Sequence, residues 1–314
     1  MADPDNWERK TLEKLAFSAL QEQRRARHWG ILFKLLIFIY LFALLFLATG
    51  WLDHGEMPTS GKHTAVVEMH GVIGSGADTD AERVISGLQG AFKDKKTQGV
   101  ILHINSPGGS PVQAGYINDE IRRLKAKHPN IPIYAVVEDI CASGGYYVAA
   151  ATDKIYVDKA SIVGSIGVIM DSFGFTGTME KLGVERRLLT AGENKGFLDP
   201  FSPANAKQQA YAKEMLTEIH NQFIQVVRQG RGERLKETPE MFSGLVWSGE
   251  KSVQLGLADS LGSAEYVARE VIKAEEMVDF TPQEGFAERV AKRFGAATAK
   301  SWVAPLSSGA ISLR

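Results

Sequence analysis

The sequence predicts an α/β domain, a mostly parallel sheet with flanking helices, preceded by one N-terminal transmembrane helix. Three observations predict it. A long apolar run, ILFKLLIFIYLFALLFLATGWL, fills residues 31–52. Beyond residue 63, short β-branched runs alternate with segments at helical spacing, the pattern of βαβ units. Two strand-like runs end in glycine turns, Ser106-Pro107-Gly108-Gly109 and Ala142-Ser143-Gly144-Gly145, and a helical segment follows each.

The apolar run is long enough, at about 1.5 Å per residue, to cross the roughly 30 Å core of a bilayer as a helix. Trp29 and Trp51 bracket it as interfacial aromatics, and Lys34 is close enough to its start to snorkel. Arg24, Arg25 and Arg27 precede it, whereas Asp53 and Glu56 follow. That asymmetry predicts a cytoplasmic N-terminus and a folded body outside the membrane, in a periplasmic or extracytoplasmic space. Its length and its poor small-residue cleavage site predict an uncleaved anchor rather than a signal peptide. The domain plan is then a cytoplasmic segment at 1–30, the anchor at 31–52, a glycine- and proline-containing linker at 53–62, a folded body at 63–280 and a tail at 281–314.

Within the body, Thr64–Met69 reads as a strand ending at His70-Gly71, and Asp80–Phe92 as a helix with Val84, Ile85, Leu88 and Phe92 on one face. Gly99–Ile104 is a second strand, Pro111–Lys127 a helix with Ile117, Ile121 and Leu124 aligned, and Ile133–Val137 a third strand. Tyr146–Ala151 has the bulk of a buried helix, and Lys154–Val157 is a short strand. Glycines break the apolar run Ile162–Ile169, which predicts bends. Arg186–Leu189 reads as a further strand, Ala204–Arg228 as a long helix, and Phe242–Leu261 as a strand and helix that complete the core. In the tail, Phe286, Val290 and Phe294 predict a short amphipathic helix.

The chain has 314 residues, 44% of them hydrophobic and 23% charged, with a net charge of −1, so bulk electrostatics give no reason to expect nucleic acid as a partner. One cysteine, Cys141, excludes an internal disulfide framework and a multi-cysteine metal site. No cofactor and no metal are expected.

The chemistry centres on Ser143. A serine at a strand-to-helix turn, followed by glycines, exposes its hydroxyl beside backbone N–H groups that point the same way. Acyl transfer needs that pairing of a nucleophile with donors for an oxyanion. The same stretch also fits a helix N-cap followed by flexible glycines, and Cys141 is a rival nucleophile or a buried core residue. A serine needs a base. His70 and His103 fall near strand ends; Lys154, Lys159, Lys181, Lys195 and Lys207 compete on pattern. Lys195 is favoured by its glycine-flanked loop beside Phe197, Leu198 and Phe201, which would dehydrate it.

The motifs N-S-P-G-G, C-A-S-G-G-Y-Y, G-S-I-G-V-I and G-E-N-K, in that order over about Thr64–Leu261, resemble the signal peptide peptidase A family of membrane-anchored serine proteases. The resemblance implies a Clp-protease/crotonase-like fold and a Ser–Lys dyad, with Ser143 as nucleophile and Lys195 as general base. It further implies Ser165 as the residue orienting that lysine, and the N–H groups of Gly109 and Gly144 as an oxyanion hole. In the short, single-copy form that this chain resembles, the dyad lies within one subunit and the subunits form a homo-oligomeric ring. The implied substrates are remnant signal peptides and other apolar or misfolded polypeptides at the outer face of a bacterial inner membrane. A catalytically silent, membrane-anchored binding protein on the same fold is the alternative. Acyl-CoA chemistry is weaker, because an exported domain is cut off from the cytosolic cofactor pool.

Overall fold

The structure, a computed structural model, describes residues 5–48 and 61–282. The expected amphipathic helix at 286–294 and the end of the apolar run, residues 49–52, lie outside the described residues.

The N-terminal unit is one continuous helix, α1 (Asp5–Ala48), of 44 residues. At 1.5 Å per residue it is about 66 Å long, twice what a bilayer core requires. Its stretch Gln21–Leu44 is long and apolar enough to cross a membrane, with mean hydropathy 1.6. The polar segment before residue 31 therefore continues the helix that carries the apolar run, and the arginines at 24, 25 and 27 ride on that helix.

The folded body begins with β1 (His63–Ile73) and continues through α2 (Ala81–Lys93), β2 (Thr97–Gly109), α3 (Pro111–Lys127), β3 (Ile133–Ala142) and α4 (Gly144–Ala149). Then come β4 (Lys154–Val157), β5 (Ile162–Gly164), α5 (Thr176–Lys181), α6 (Ala206–Arg231), β6 (Val246–Ser248), α7 (Gly249–Gln254) and β7 (Ser260–Leu261). A short α8 (Ala264–Tyr266) runs into a π turn, Val267–Ile272, before β8 (Met277–Asp279). The helix starts follow capping chemistry: Asp80 accepts from the Glu82 N–H, Ser110 caps the helix that Pro111 opens, and Asn205 accepts from the N–H groups of Lys207 and Gln208.

The strands form one sheet in the order β6-β5-β3-β2-β1-β8, with β4 pairing β3 and β7 pairing β4. All pairings are parallel except β5 with β6. This is the mixed α/β sheet with flanking helices that the alternating pattern predicts. β3 forks. Its first half, Tyr134–Val136, pairs with β4, and its last residues, Ile140–Ala142, pair with β5. Both β1 and β2 outrun their predicted ends, because Val72 pairs with Gly108 and Ile73 with Gly109 past the bulge at His70. Arg186–Leu189, expected as a strand, forms none. It lies in an exposed arm between β5 and α6 that supplies no ladder partner.

Strand alternation divides the core in two. Val67, Met69, Leu102, Ile104, Ala135 and Val137 face the larger cluster under the helices; Val66, Ile101 and Val136 face the smaller one, covered by Val267 and Ala268.

Where α6 meets β7, an ion pair is buried in this core. Arg231, 1% exposed, donates from Nε to the Gly256 carbonyl and from Nη1 to Asp259 Oδ2 at 2.9 Å. Asp259 also takes Arg234 Nη1 at 3.0 Å and the Ile155 N–H at 2.7 Å. Burial pushes the Asp259 carboxyl up, but the hydrogen bonds and charges of Arg231 and Arg234 outweigh it and hold the group below the ordinary carboxylate range. A depressed carboxyl contributes stability above its unfolded pKa of about 3.9, lost as pH falls through its folded value. Asp259→Asn should therefore cost about 3–5 kcal/mol at pH 7 by stranding Arg231, and the gap to the wild type should narrow below about pH 4, as read by urea unfolding across pH.

Candidate active site

The end of β3 delivers Ser143, and the end of β5 delivers Ser165. Ala142 and Gly164 are register partners, so the two serines are each the next residue beyond a paired position. Both leave the sheet through a left-handed turn, at φ 51° for Ser143 and 50° for Ser165. For residues with a Cβ that conformation costs on the order of 1–3 kcal/mol and persists only where neighbours enforce it. The enforcement is visible: the Ser143 N–H donates to the Gly164 carbonyl, the Ser143 carbonyl accepts from the Tyr147 N–H, and the Ser165 N–H donates to the Leu245 carbonyl. Gly164 itself holds φ +117°, with the Trp247 ring 2.7 Å from where a Cβ would stand.

The β2 end comes in from the other side. A Cβ on Gly108 would stand 2.7 Å from both the Gly144 nitrogen and Ser143 Cβ, and one on Gly109 would be 2.1 Å from the Ile73 carbonyl oxygen. Only glycine permits this approach. Ser106 fixes the turn from beneath, donating to the Gly71 carbonyl at 2.6 Å while accepting from the Gly108 N–H at 3.1 Å. Gly144 opens α4, so its N–H belongs to the first turn, which has no acceptor inside the helix.

These three strand ends enclose a cavity of about 460 Å³ lined by Ser143, Ser165, Gly108, Gly109, Val168 and Gly244, among others. A narrower slot behind Ser143 is walled by Tyr147, Ile219 and Phe223. Apolar walls around a half-buried hydroxyl and a backbone cradle suit an extended apolar ligand.

The structure brings Ser143, Ser165, Gly109 and Gly144 together. Lys195 lines neither cavity. It sits exposed in the turn 191–196, its N–H donating to the Gly192 carbonyl. Lys154, Lys159, Lys181 and Lys207 also line neither. The histidine alternative fails on topology. His70 and His103 lie on the opposite face of the sheet, with His103 Nδ1 and His70 Nε2 both on Glu68 Oε2, at 2.9 and 2.6 Å. Cys141 is no rival nucleophile, since it is fully buried and burial pushes its thiol far up.

Two contributions escaped the sequence reading. Ser243 and Gly244 complete the cavity wall, and only their turn-forming dipeptide signalled it. His220, in register with the core face of α6, donates from Nε2 to the Ile166 carbonyl at 3.1 Å, tying the helix to the Ser165 loop.

Residues 125–278, which include both serines and Lys195, match peptidase family S49. Over those residues the chain carries a peptidase S49 domain. Curated relatives agree. It is 29% identical over 234 residues to a putative signal peptide peptidase SppA of Enterococcus faecium, covering 72% of this chain and 67% of that one. It is 35% identical over 186 residues to a putative protease of Methanocaldococcus jannaschii, covering 59% of each. A stretch of 202 residues is 45% identical to part of a protein named Na(+)/H(+) antiporter NhaA in Brucella melitensis; the match takes in 63% of this chain but only 27% of that protein. Among solved structures, a membrane-bound stomatin-specific protease in complex with a substrate peptide aligns with 76% of the chain at 14% identity and TM-score 0.42.

Two glycine substitutions separate the S49 cradle's geometry from its chemistry. Gly109→Ala should destabilise the fold by roughly 3 kcal/mol or more, because the new methyl meets backbone. Gly144→Ala, whose Cβ would meet the Gly109 nitrogen at 3.3 Å, should leave the melting temperature within a few degrees of wild type. Thermal unfolding followed by circular dichroism separates the two.

Proposed function

We propose that the chain is a membrane-anchored serine endopeptidase in which Ser143 is the nucleophile and Lys195 the general base, with Ser165 orienting the lysine amine. The observation that carries this reading is the strained, half-buried Ser143, held beside Ser165 and two glycine turns in one apolar-walled cavity. Ser143 Oγ attacks the scissile carbonyl and passes its proton to the amine. The N–H groups of Gly109 and Gly144 receive the oxyanion, and the protonated amine returns its proton to the leaving nitrogen. Water then repeats the sequence on the acyl-enzyme.

General-base work needs a neutral amine, and burial is what removes the charge. In the single chain Lys195 is exposed, on an arm that also exposes Phe173 (75%), Leu182 (72%) and Leu189 (94%), and α5 on that arm buries nothing. The arm keeps its own shape: Phe175 stacks on Phe201 at 5.3 Å, and Arg186 pairs with Asp199 at 2.9 Å. A second copy of the chain covering this apolar arm supplies the burial that Lys195 lacks, so a homo-oligomeric ring is part of the proposal. The apolar run that begins at residue 31 provides the membrane anchor, with the arginine-bearing segment before it in the cytoplasm and the body in the extracytoplasmic space of a bacterial inner membrane. Apolar cavity walls and tethering to the bilayer favour remnant signal peptides and other apolar polypeptides as substrates.

The exposure of Lys195 also favours the alternative, a silent binding protein on the same fold. One experiment separates them. The detergent-solubilised chain should turn over an apolar fluorogenic peptide and take a fluorophosphonate at Ser143. Ser143→Ala and Lys195→Ala should each lose roughly 10³-fold or more in kcat/KM, whereas Ser165→Ala should keep a residue of activity. Absence of both turnover and labelling in an assembled sample establishes the silent protein.

A further inference from the structure

We propose that Glu68, His70 and His103 form a binding site for one divalent first-row transition-metal ion of the zinc class, clamping β1 to β2 on the face of the sheet opposite Ser143. Two lines of strand geometry converge on it. Glu68 and His70 are two apart on β1 and so project to one face, while His103 is the register partner of Glu68 on β2. One donor atom from each of the three residues lies within 4.8 Å of the other two. The donor set is two imidazoles and one carboxylate, which suits zinc and its neighbours rather than calcium or magnesium, since those take oxygen.

The cluster has the surroundings that such a site needs. On this face Val66, Ile101 and Val136 share an apolar cluster with Val267 and Ala268, and Glu68 and His103, register partners two residues beyond Val66 and Ile101, stay partly exposed, at 34% and 23%. The His70 side chain is 48% exposed, which leaves an open position for water or a fourth ligand. The Glu68 N–H is fixed by Thr281 Oγ1 at 2.8 Å, so the carboxylate is carried by a strand held on both sides. The charges of Glu138 and Glu265 reach His103, the second of them from the rim of a 490 Å³ cavity onto which His103 also opens.

The simpler reading is a hydrogen-bonded cluster with no ion. In it a single oxygen, Oε2 of Glu68, takes both imidazoles, at 2.6 and 2.9 Å. Tetrahedral zinc holds such donors about 3.3–3.6 Å apart, at about 2.0–2.2 Å from the metal. Binding therefore requires the Glu68 carboxylate and the two imidazoles to spread from the first pair of distances to the second. The ion would replace protons at a place already arranged around one point. It would also steady the backbone that follows: Gly71 accepts from Ser106, which in turn holds the Gly108 turn, and Val72 lines the Ser143 cavity.

The test is independent of peptidase activity. Untagged full-length chain in detergent, stripped with a chelator, is titrated with ZnCl2 by calorimetry and melted with and without the ion. The expected result is one equivalent bound and a raised melting temperature. His70→Ala, His103→Ala and Glu68→Gln should each bind at least about tenfold more weakly, while His128→Ala, outside the cluster, should bind as wild type does. Because His70 is exposed, its variant keeps the fold, which circular dichroism verifies. Cobalt substituted for zinc should give visible absorption bands in the wild type that the His70→Ala/His103→Ala variant lacks. Failure of the wild type to bind an equivalent, or undiminished binding in that double variant, overturns the proposal.

Discussion

The active-site region depends on one steric constraint: two backbones meet at Gly108, Gly109 and Gly144 closer than any side chain allows. Gly109 sits against the Ile73 carbonyl, and Gly108 against the nitrogen of Gly144 and the Cβ of Ser143. β2 therefore continues along β1 past the bulge, instead of turning away where its apolar residues stop. That extension places the β2 end over the start of α4. Without it, the cavity would have one wall and Ser143 would face solvent.

The second constraint is the fork of β3. A strand ordinarily has one neighbour on each side, but β3 gives its first half to β4 and its last three residues to β5. The switch brings Gly164 alongside Ala142, so Ser143 and Ser165 leave adjacent ladders with nearly equal positive φ, 51° and 50°. Strain at both serines is balanced by backbone hydrogen bonds to Gly164 and Leu245 rather than by side chains, which leaves both hydroxyls uncommitted to the turn. The antiparallel β6, carrying Trp247, then closes the far side of the bend.

Much of this was legible in the sequence, and where it was not the reasons are physical. The βαβ order, the helix over Asp80–Phe92, the helix opened by Pro111 and the pairing of a glycine turn with Ser143 all follow from local patterns, because helical spacing and strand periodicity are local. The long helix starts at Ala206, behind the Asn205 cap, rather than at the expected Ala204. The extension of β2 through Ser106-Pro107-Gly108-Gly109 was not legible, since proline and paired glycines ordinarily end a strand; pairing with Val72 and Ile73 overrides that preference. Arg186–Leu189 had the residues of a strand but no ladder to join. The Glu68–His103 pairing depends on the register of β1 against β2, which no single-strand pattern encodes. No local pattern around His220 signals a role, although its helix delivers its ring to the carbonyl after Ser165.

The arm between β5 and α6 is where local pattern and burial part company most sharply. Its aromatic cluster and its Arg186–Asp199 pair give it a defined shape, yet Phe173, Leu182 and Leu189 remain in water. Exposing several large apolar side chains on one arm, each forgoing roughly 1.5–3 kcal/mol of burial, is costly for a monomer and ordinary for a subunit. Lys195 lies on the same arm, so what covers the apolar surface also sets the environment of the proposed base. On the proposed dyad, assembly and catalysis are a single requirement: a chain held monomeric would retain Ser143 and its glycine cradle, yet lack the dehydrated amine that the proposal needs.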